Sequence, residues 1–448
     1  MTKIATARRP LGPSGVAAVS LIGTTIEYYD FYVYTTTVVM VLGPLFFPAD
    51  DALTSSLLAF STLGIGFLAR PLGGMIFAHY GDRFGRKNTL VTSLLMMGVA
   101  TVLVGILPTY AQVGVWAPIL LVTCRFVQGL AVGGEWGGAV LLAVEHAPAK
   151  KRAFYGAFPQ FGSPLGLLVS SGVISLFMLM PSGAFESWGW RIPFLLSIVM
   201  LAVGLVMRLR IEESKDYVKA ATERVADVKL PIAMVVRDHW RVVVVGTGIT
   251  LISHSLYIIT TFLPSYAKST LGVSAGVATN SLVIASACGV VVLGIIAVKI
   301  DGRDRRRFAL TSAVLLGLWA FPAFFLASAW GTAGMTIAVT VGYLSVLGHY
   351  AVLSSLLADL FPTNVRFTGI SLCYQLSAIL AGGILPLLTS YFVGAAGGSY
   401  WPAPTLLAAT CVLTAVASML ARPVPTTGYQ NLPTSRNATS AIPAEVKQ

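Results

Sequence analysis

Long apolar runs recur along the whole chain, and each is long enough to cross a lipid bilayer. A helix needs roughly 20 apolar residues to span the hydrocarbon core. Twelve runs are of about this length, and we number them spans 1 to 12 in chain order. They lie at residues 15–46, 53–79, 88–108, 115–144, 155–179, 190–208, 241–264, 275–299, 308–328, 333–357, 367–392 and 402–421.

The composition indicates a membrane protein and excludes other classes. Of the 448 residues, 56% are hydrophobic and 11% are charged, whereas soluble domains usually carry about 25% charged residues. A cytosolic enzyme, a disordered scaffold and a secreted disulfide protein are thereby excluded. The four cysteines lie far apart in apolar runs, without the spacing of a metal site or a disulfide framework. We therefore expect no metal site and no cofactor.

Basic residues are concentrated in every second gap between spans. The series begins with Arg8 and Arg9, and the intervening gaps contain almost no lysine or arginine. By the positive-inside rule the basic gaps face the cytoplasm, which places both termini there and agrees with an even number of spans. The net charge of +12 is then a topology signal with affinity for anionic lipid headgroups. Nucleic acid is not an expected partner.

A long polar stretch at residues 209–240 separates two sets of six spans. The predicted fold is therefore an all-α membrane protein of 12 transmembrane helices in two six-helix halves, which indicates an ancient duplication. The predicted parts are a cytoplasmic N-terminal tail (1–14), a first half (15–208), a cytoplasmic linker (209–240), a second half (241–422) and a disordered cytoplasmic tail (423–448).

Full charges inside the spans occur only in the first half of the sequence. Charged side chains in hydrocarbon are costly and usually face a partner or a water-filled cavity. The five charged residues in the spans of the first half are Glu27, Asp30, Arg70, Arg125 and Glu135. Away from their ends, the spans of the second half contain no aspartate, glutamate, lysine or arginine, but they do contain two histidines, His254 and His349.

Glu27 and Asp30 of span 1 are three residues apart, so they share one helix face near the bilayer centre. Two carboxylates this close resist simultaneous ionisation, and at least one of them is expected to hold a proton. A carboxylate that binds and releases a proton near neutral pH is what a proton-coupled carrier needs. Either residue is a candidate for this role.

In span 4, Arg125, Gln128 and Glu135 fall near one face. Arg125 lies at a depth that can reach the span 1 carboxylates, and a proton-coupling role is favoured for it over a static ion pair. For Arg70 and Glu135 we favour structural ion pairs within the membrane.

Neutral polar side chains at membrane depth are candidates for hydrogen bonds to a substrate. His254 and Tyr257 lie three residues apart in the middle of span 7, although a membrane histidine is more often a packing residue than a proton carrier. The full set of candidate substrate-binding residues is Arg125, Gln128, Tyr28, Tyr29, Gln160, His254, Tyr257, Tyr374 and Gln375.

Two loops contain related motifs. After span 2 the chain reads Gly81-Asp82-Arg83-Phe84-Gly85-Arg86-Lys87, which resembles the cytoplasmic signature of the major facilitator superfamily. A weaker copy after span 8 has Gly302 and Asp304 where Arg and Gly are expected. The predicted cytoplasmic gate residues are Asp82, Arg83, Gly85, Arg86, Lys87, Asp301, Arg305 and Arg306.

Further stretches, at residues 23–31, 70–74, 125–129, 133–138, 188–193 and 359–369, narrow the match. Together they resemble the bacterial metabolite:proton symporter family, whose members carry shikimate, dicarboxylates, citrate, or proline and betaine. The resemblance covers nearly all of residues 15–422. It implies that spans 1, 4, 7 and 10 line a central cavity. It also implies that Asp30 accepts the proton, with Glu27 as rival acceptor, and that Arg125 pairs with the acceptor.

We therefore expect a multi-pass plasma-membrane transporter of bacterial type, and not an enzyme. It couples a proton to the uptake of a small, carboxylate-bearing metabolite by alternating access. The alternatives are a proton-coupled exporter and, less favoured, a non-transporting sensor. Arg125 and Arg70 favour a carboxylate, but a zwitterion such as proline or betaine also fits if Tyr28 or Trp136 faces the cation. A monomer is expected from the resemblance.

Overall fold

In a computed structural model of the chain, residues 12–49, 52–84, 86–133, 135, 140, 143–144, 147–181, 183–209, 231–362 and 365–422 are described. Within these ranges every regular element is a helix, as predicted. The N-terminal residues 1–11, most of the predicted linker (210–230) and the predicted tail (423–448) lie outside the described residues.

In the described part of the first half the helices fall into six segments, and two of these are interrupted. Spans 1 and 5 each contain two α-helices joined by a short irregular helical turn. The helices are Pro13–Thr37 and Gly43–Phe46 (span 1), Ala52–Phe84 (span 2), Arg86–Ile106 (span 3), Trp116–Val132 (span 4), Arg152–Ala157 and Gly162–Phe177 (span 5), and Arg191–Leu209 (span 6), with the short helix Tyr110–Val113 between spans 3 and 4.

The second half repeats this arrangement, with interruptions in spans 7, 10 and 11. A short helix, Pro231–Asp238, precedes it. The helices are Trp240–Ser255 and Leu263–Ser269 (span 7), Ala275–Lys299 (span 8), Arg305–Ala329 (span 9), Gly331–Ser345 and Leu347–Leu360 (span 10), Arg366–Ser377 and Leu385–Ala395 (span 11), and Pro402–Leu420 (span 12).

Most of these segments are long and apolar enough to cross a membrane. Among the described residues, nine helical segments are long and apolar enough to cross a membrane, and Val91–Ile106 and Trp116–Val132 are apolar but shorter. Span 1 is not among the nine, and its centre carries Glu27, Asp30 and several hydroxyl groups. Many large apolar side chains remain exposed on the outside of the bundle, including Leu318 and Val298, which is expected of a lipid-facing surface.

Helix packing follows the same plan in both halves. Span 1 packs on span 5, span 2 on span 4 and span 3 on span 6, and the second half repeats these pairs as spans 7 and 11, 8 and 10, and 9 and 12. Across the halves, span 5 packs on span 8 and span 2 on span 11. These two contacts are also equivalent after a shift of six spans. The molecule therefore has an internal two-fold repeat, which is typical of transporters built from duplicated halves.

Within the described residues, π-helical turns interrupt spans 1, 7 and 11, at Val38–Leu42, Ile258–Phe262 and Ala378–Ile384. Each is followed by a proline at the start of the next helix, namely Pro44, Pro264 or Pro386. A proline ring has no N–H and clashes with the carbonyl one turn earlier. The preceding turn therefore widens, and backbone carbonyls there become available to other partners.

Candidate functional site

A cavity lies between the two halves at the middle of the helices. Its volume is about 50 Å³, well below the roughly 300–1,000 Å³ of small-molecule sites, so the cavity is constricted in this conformation. Spans 1 to 4 supply one wall, and spans 7 and 11 supply the other. The lining residues are Glu27, Tyr28, Asp30, Phe31, Gly66, Phe67, Arg70, Met97, Arg125, Gln128, Gly129, Val132, Tyr257 and Tyr374.

Span 10 differs from the expectation that the family resemblance raised, because none of its described residues lines this cavity. Its tyrosines bind other spans instead. The Tyr350 hydroxyl donates to the Ser253 carbonyl at 3.1 Å, and the Tyr343 hydroxyl lies 3.4 Å from Ser163 Oγ of span 5. Spans 2, 3 and 11 contribute lining residues in its place.

Asp30 reaches the cavity from span 1 and is bound by a neutral partner. Its carboxylate accepts a hydrogen bond from Ser197 Oγ of span 6 at 2.7 Å, and the residue is 2% exposed. The neighbouring Tyr29 points elsewhere, because its hydroxyl donates to the Pro193 carbonyl at 2.8 Å. Tyr29, a predicted substrate-binding residue, does not line the cavity.

Arg125 projects from span 4 into the same cavity. Its guanidinium donates to Gln128 Oε1 at 2.8 Å and lies over the Tyr34 ring, 3.8 Å from the centroid. Gln128 in turn donates to Thr101 Oγ1 at 2.8 Å. The ion pair that the resemblance implied between Asp30 and Arg125 is not formed in this conformation, since each group is bound to neutral partners.

Glu27 is held by a cation that the sequence analysis did not select. Arg208, at the end of span 6, lies 3.6 Å from Glu27 Oε1 and also forms an ion pair with Glu135. Ser93 Oγ donates to the second Glu135 oxygen at 3.3 Å. Arg208 is 7% exposed, yet it adjoins the polar linker in sequence. Three intramembrane carboxylates against two arginines were the signal that a third cation was missing.

Arg70 and Glu135 were both predicted to form ion pairs within the membrane, and only Glu135 does so in the structure. Glu135 is paired, with Arg208 as its partner. Arg70 has no carboxylate within 4.0 Å among the described residues, and its guanidinium lies over the Phe67 ring, 4.3 Å from the centroid. Arg70 lines the cavity, so it is placed to meet an anionic ligand.

Aromatic side chains from both halves complete the cavity wall. Tyr257 packs against Phe31 and Phe67, with ring centroids 5.0 and 6.0 Å away. The hydroxyls of Tyr28 and Tyr374 lie 3.1 Å apart and join the two halves. The tyrosines are identifiable in the sequence as polar groups at membrane depth. Phe31 and Phe67 are not, because a single phenylalanine in an apolar run gives no signal that separates a cavity wall from a lipid-facing surface.

Three other predicted substrate-binding residues lie outside the cavity lining. His254 lies behind Tyr374, with ring centroids 4.7 Å apart, and its Nδ1 is 3.0 Å from Ser377 Oγ. Gln160 donates to Ser354 Oγ at 2.9 Å. Gln375 donates to the Gly133 carbonyl at 2.8 Å. The two glutamines thus form contacts between the halves.

Charged residues also join the halves at both ends of the bundle. At the end of the bundle that the charge pattern predicts to face the cytoplasm, Asp301 accepts from the backbone N–H groups of Ala153 and Phe154 at 3.0 and 3.4 Å. On the opposite side, Lys268 donates to the Met40 carbonyl at 2.7 Å. Met40 lies in the π-helical turn of span 1, which leaves its carbonyl accessible. The two halves are thus in contact at both ends of the bundle.

The remaining predicted gate residues divide into two groups. Arg305 forms an ion pair with Asp359 of span 10, and Arg306 donates to the Ala421 carbonyl at 3.1 Å, so both bind within their own half. Gly85 and the side chains of the other first-loop gate residues lie outside the described residues; these are Asp82, Arg83, Arg86 and Lys87.

Replacing Asp301 with alanine is expected to open the cytoplasmic side. The change removes hydrogen bonds from two N–H groups to a charged acceptor, each worth about 1.5–3 kcal/mol. Double electron–electron resonance between spin labels at positions 150 and 303 measures the opening. In the variant, the population with the longer label-to-label distance should be at least tenfold larger than in the wild-type protein. Asp304→Ala is the matched control, because Asp304 binds Arg306 and Arg307 of its own half. Equal distance distributions in the two variants would contradict a role for Asp301 in closing this side.

Comparisons with known proteins agree with this architecture. The profile of the Major Facilitator Superfamily matches residues 21–373. The inner membrane metabolite transport protein YhjE of Escherichia coli is 40% identical over 420 residues, which cover 90% of this chain and 93% of YhjE. The shikimate transporter of the same organism is 36% identical over 415 residues, covering 90% of this chain and 92% of the relative.

A solved structure shows the same fold. The proton:xylose symporter XylE, bound to 6-bromo-6-deoxy-D-glucose, superposes with a TM-score of 0.73 at 17% identity over 90% of this chain and 94% of XylE. The protein is accordingly a multi-pass transporter of the plasma membrane and not an enzyme. The motifs, the helix pairing and the relatives lead to one assignment. The chain belongs to the major facilitator superfamily, in the metabolite:proton symporter family that its motifs resemble.

Proposed function

We propose that this protein takes up a small, carboxylate-bearing metabolite together with a proton, by alternating access. The observation that carries the proposal is the cavity between the halves, into which span 1 places Asp30 and span 4 places Arg125. A buried carboxylate that exchanges a proton and a buried guanidinium that binds an anion are the two sites that such coupling requires.

The coupling follows from the charge of these two groups. In the outward-facing state Asp30 takes up a proton, and Arg125, released from its attraction, binds the carboxylate of the substrate. The pair formed by Asp30 and Arg125 is then neutral overall in two conditions, namely empty or loaded with both proton and substrate. Loading only one of the two leaves a net charge in a closed, dry cavity, which is costly. Only the neutral forms cross, so proton and substrate move together.

The two halves are built to move around this cavity. Lys268 closes one end and Asp301 the other, each through a backbone contact on the opposite half. Opening one set of contacts while keeping the other exposes the cavity to one side at a time. Release of substrate and proton inside allows Asp30 and Arg125 to attract each other, and the empty carrier returns.

The chemistry of the wall indicates the substrate class. Arg125 and Arg70 present two guanidinium groups, which match a carboxylate well because they donate in a planar fork. Tyr28 of the first half, and Tyr257 and Tyr374 of the second half, present hydroxyls and ring faces to the same cavity. A ring acid with hydroxyl groups fits this arrangement and keeps the loaded site neutral. A zwitterion can bind the same guanidinium groups through its carboxylate, but its cation leaves the loaded site with one positive charge. A relative of this chain is a shikimate transporter, and shikimate is a hydroxylated ring acid.

Purified protein in liposomes provides the test. With an acidic exterior and an alkaline interior, labelled shikimate, proline and glycine betaine are offered separately. We expect one of them to accumulate by up to tenfold for each pH unit of the gradient, and a protonophore to abolish the accumulation. Accumulation driven by the reversed gradient would instead identify an exporter. Equilibration of all three without dependence on pH would contradict proton coupling.

A further inference from the structure

The site contains two neighbouring carboxylates, but their surroundings differ. Glu27 and Asp30 are one turn apart on the same helix and both line the cavity. Glu27 faces Arg208, whose nitrogen is 3.6 Å from Glu27 Oε1. Asp30 accepts its hydrogen bond from Ser197, and no described cation lies within 4.0 Å of it. Both partners belong to span 6, so one helix presents a cation to one carboxylate and a hydroxyl to the other.

Arg208 also neutralises a second carboxylate. It pairs with Glu135 of span 4, whose other oxygen accepts from Ser93 of span 3. Arg208 therefore joins spans 1, 4 and 6 through charged groups that are at most 7% exposed. In such a setting an ion-paired carboxylate stays ionised, whereas a carboxylate with only neutral partners is the one that takes up a proton.

The other charges around the pair keep this division intact. Arg70 of span 2 faces the cavity near Glu27, and Arg125 of span 4 faces it near Asp30. Tyr28, Tyr257 and Tyr374 are the other titratable groups that line the cavity. Arg208 forms the ion pairs with both Glu27 and Glu135, whereas Arg70 and Arg125 face the cavity. The three arginines balance the three carboxylates, so a proton on Asp30 leaves one positive charge at Arg70 and Arg125 for the substrate carboxylate.

We propose that Arg208 is a positioning residue that keeps Glu27 and Glu135 ionised and thereby assigns the coupling proton to Asp30. This inference rests on the proposed function, because it concerns which group carries the proton of the symport. It decides between the two carboxylates that spacing alone leaves equivalent. Arg208 itself touches neither substrate nor proton in this scheme, and it acts through Glu27.

If Arg208 keeps Glu27 ionised, removing Arg208 should restore proton coupling to a protein that lacks the Asp30 carboxylate. With Asp30→Asn alone, Glu27 stays locked to Arg208 and no group carries the proton, so substrate only equilibrates. Removing Arg208 as well, in Asp30→Asn/Arg208→Gln, frees Glu27 to bind a proton in the same cavity. Accumulation under a pH gradient of one unit should then rise from onefold to at least threefold. A purely structural role for Arg208 would make the double variant no better than Asp30→Asn.

Two matched variants isolate the cause of any recovery. Asp30→Asn/Arg208→Lys keeps the positive charge, so accumulation should stay at onefold. Adding Glu27→Gln to Asp30→Asn/Arg208→Gln removes the substitute proton carrier, and accumulation should return to onefold. The assay is uptake of the substrate that the wild-type protein accumulates, among labelled shikimate, proline and glycine betaine, in liposomes that contain a pH-sensitive dye. The dye reports whether protons enter with the substrate.

The possible failures are distinguishable. If the wild-type protein accumulates none of the three compounds, the proposed function itself is wrong. If the wild type accumulates one of them but folded Asp30→Asn/Arg208→Gln stays at onefold, or the lysine variant recovers equally, the role of Arg208 is overturned. Should the Arg208 variants not fold, Glu27→Gln decides. A slower uptake that reaches the wild-type accumulation ratio supports the inference, and a ratio of onefold overturns it.

Discussion

Replacing Asp30 with asparagine is expected to abolish accumulation of substrate against its gradient while leaving exchange of substrate across the membrane. Asparagine has the shape of aspartate and still accepts the hydrogen bond from Ser197, which is 2.7 Å away, so the packing of spans 1 and 6 is preserved. It cannot bind and release a proton. The accumulation ratio under a gradient of one pH unit should fall from about tenfold to onefold.

The measurement compares two modes of transport in the same liposomes. Uptake driven by the pH gradient needs the proton cycle, whereas counterflow of labelled against unlabelled substrate does not. Ser197→Ala serves as the control, because it removes the hydrogen-bond donor but leaves the carboxylate. It should change the rate of uptake and keep the accumulation ratio. An Asp30→Asn protein that still accumulates substrate tenfold would show that another group carries the proton.

The helical architecture was largely predictable because the membrane imposes it. Each apolar run must form a helix of about bilayer length, and the described helices follow the predicted spans closely, for example Ala275–Lys299 against 275–299. The π-helical turns were not predicted. Their signal is present as Pro44, Pro264 and Pro386, but a proline in a membrane helix is compatible with a kink, a widened turn or a break. Only the packing of neighbouring spans selects one of these.

The candidate site could be predicted in part. Glu27, Asp30, Arg70 and Arg125 could be identified because a charged side chain is rare inside an apolar span. All four line the cavity. Their partners could not be derived, since Ser197 lies 167 residues from Asp30 and nothing local distinguishes it from other serines.

The position of a polar residue along its span also does not determine which groups it contacts. Arg208 was overlooked because an arginine at the end of a span normally extends toward the headgroups, whereas this one turns inward to two carboxylates. The opposite error concerns Gln160 and Gln375. Both were predicted to bind substrate, but they bind Ser354 and the Gly133 carbonyl in the other half. Contacts between helices that are distant in sequence decide both cases.

Replacing Arg125 with alanine is expected to weaken substrate binding by about 100-fold. Truncating one partner of a buried charge pair costs about 2–5 kcal/mol, and about 2.7 kcal/mol corresponds to a factor of 100. The loss includes the forked donation to the substrate carboxylate, which the Gln128 amide cannot replace. Arg125→Lys keeps the charge but loses the fork, so its affinity should be intermediate. Equilibrium binding of the labelled substrate to purified protein gives these values directly.

An arginine outside the cavity provides the matched control. Arg191 of span 6 donates to the Gly105 and Leu107 carbonyls at 3.0 and 2.7 Å, and it does not line the cavity. Arg191→Ala should therefore leave the affinity within twofold of the wild type. If Arg125→Ala also keeps its affinity while Arg70→Ala loses it, the substrate carboxylate binds at Arg70, one helix away. In that case Arg125 acts on the proton site alone, because its charge still controls whether Asp30 is ionised while the anion is bound elsewhere.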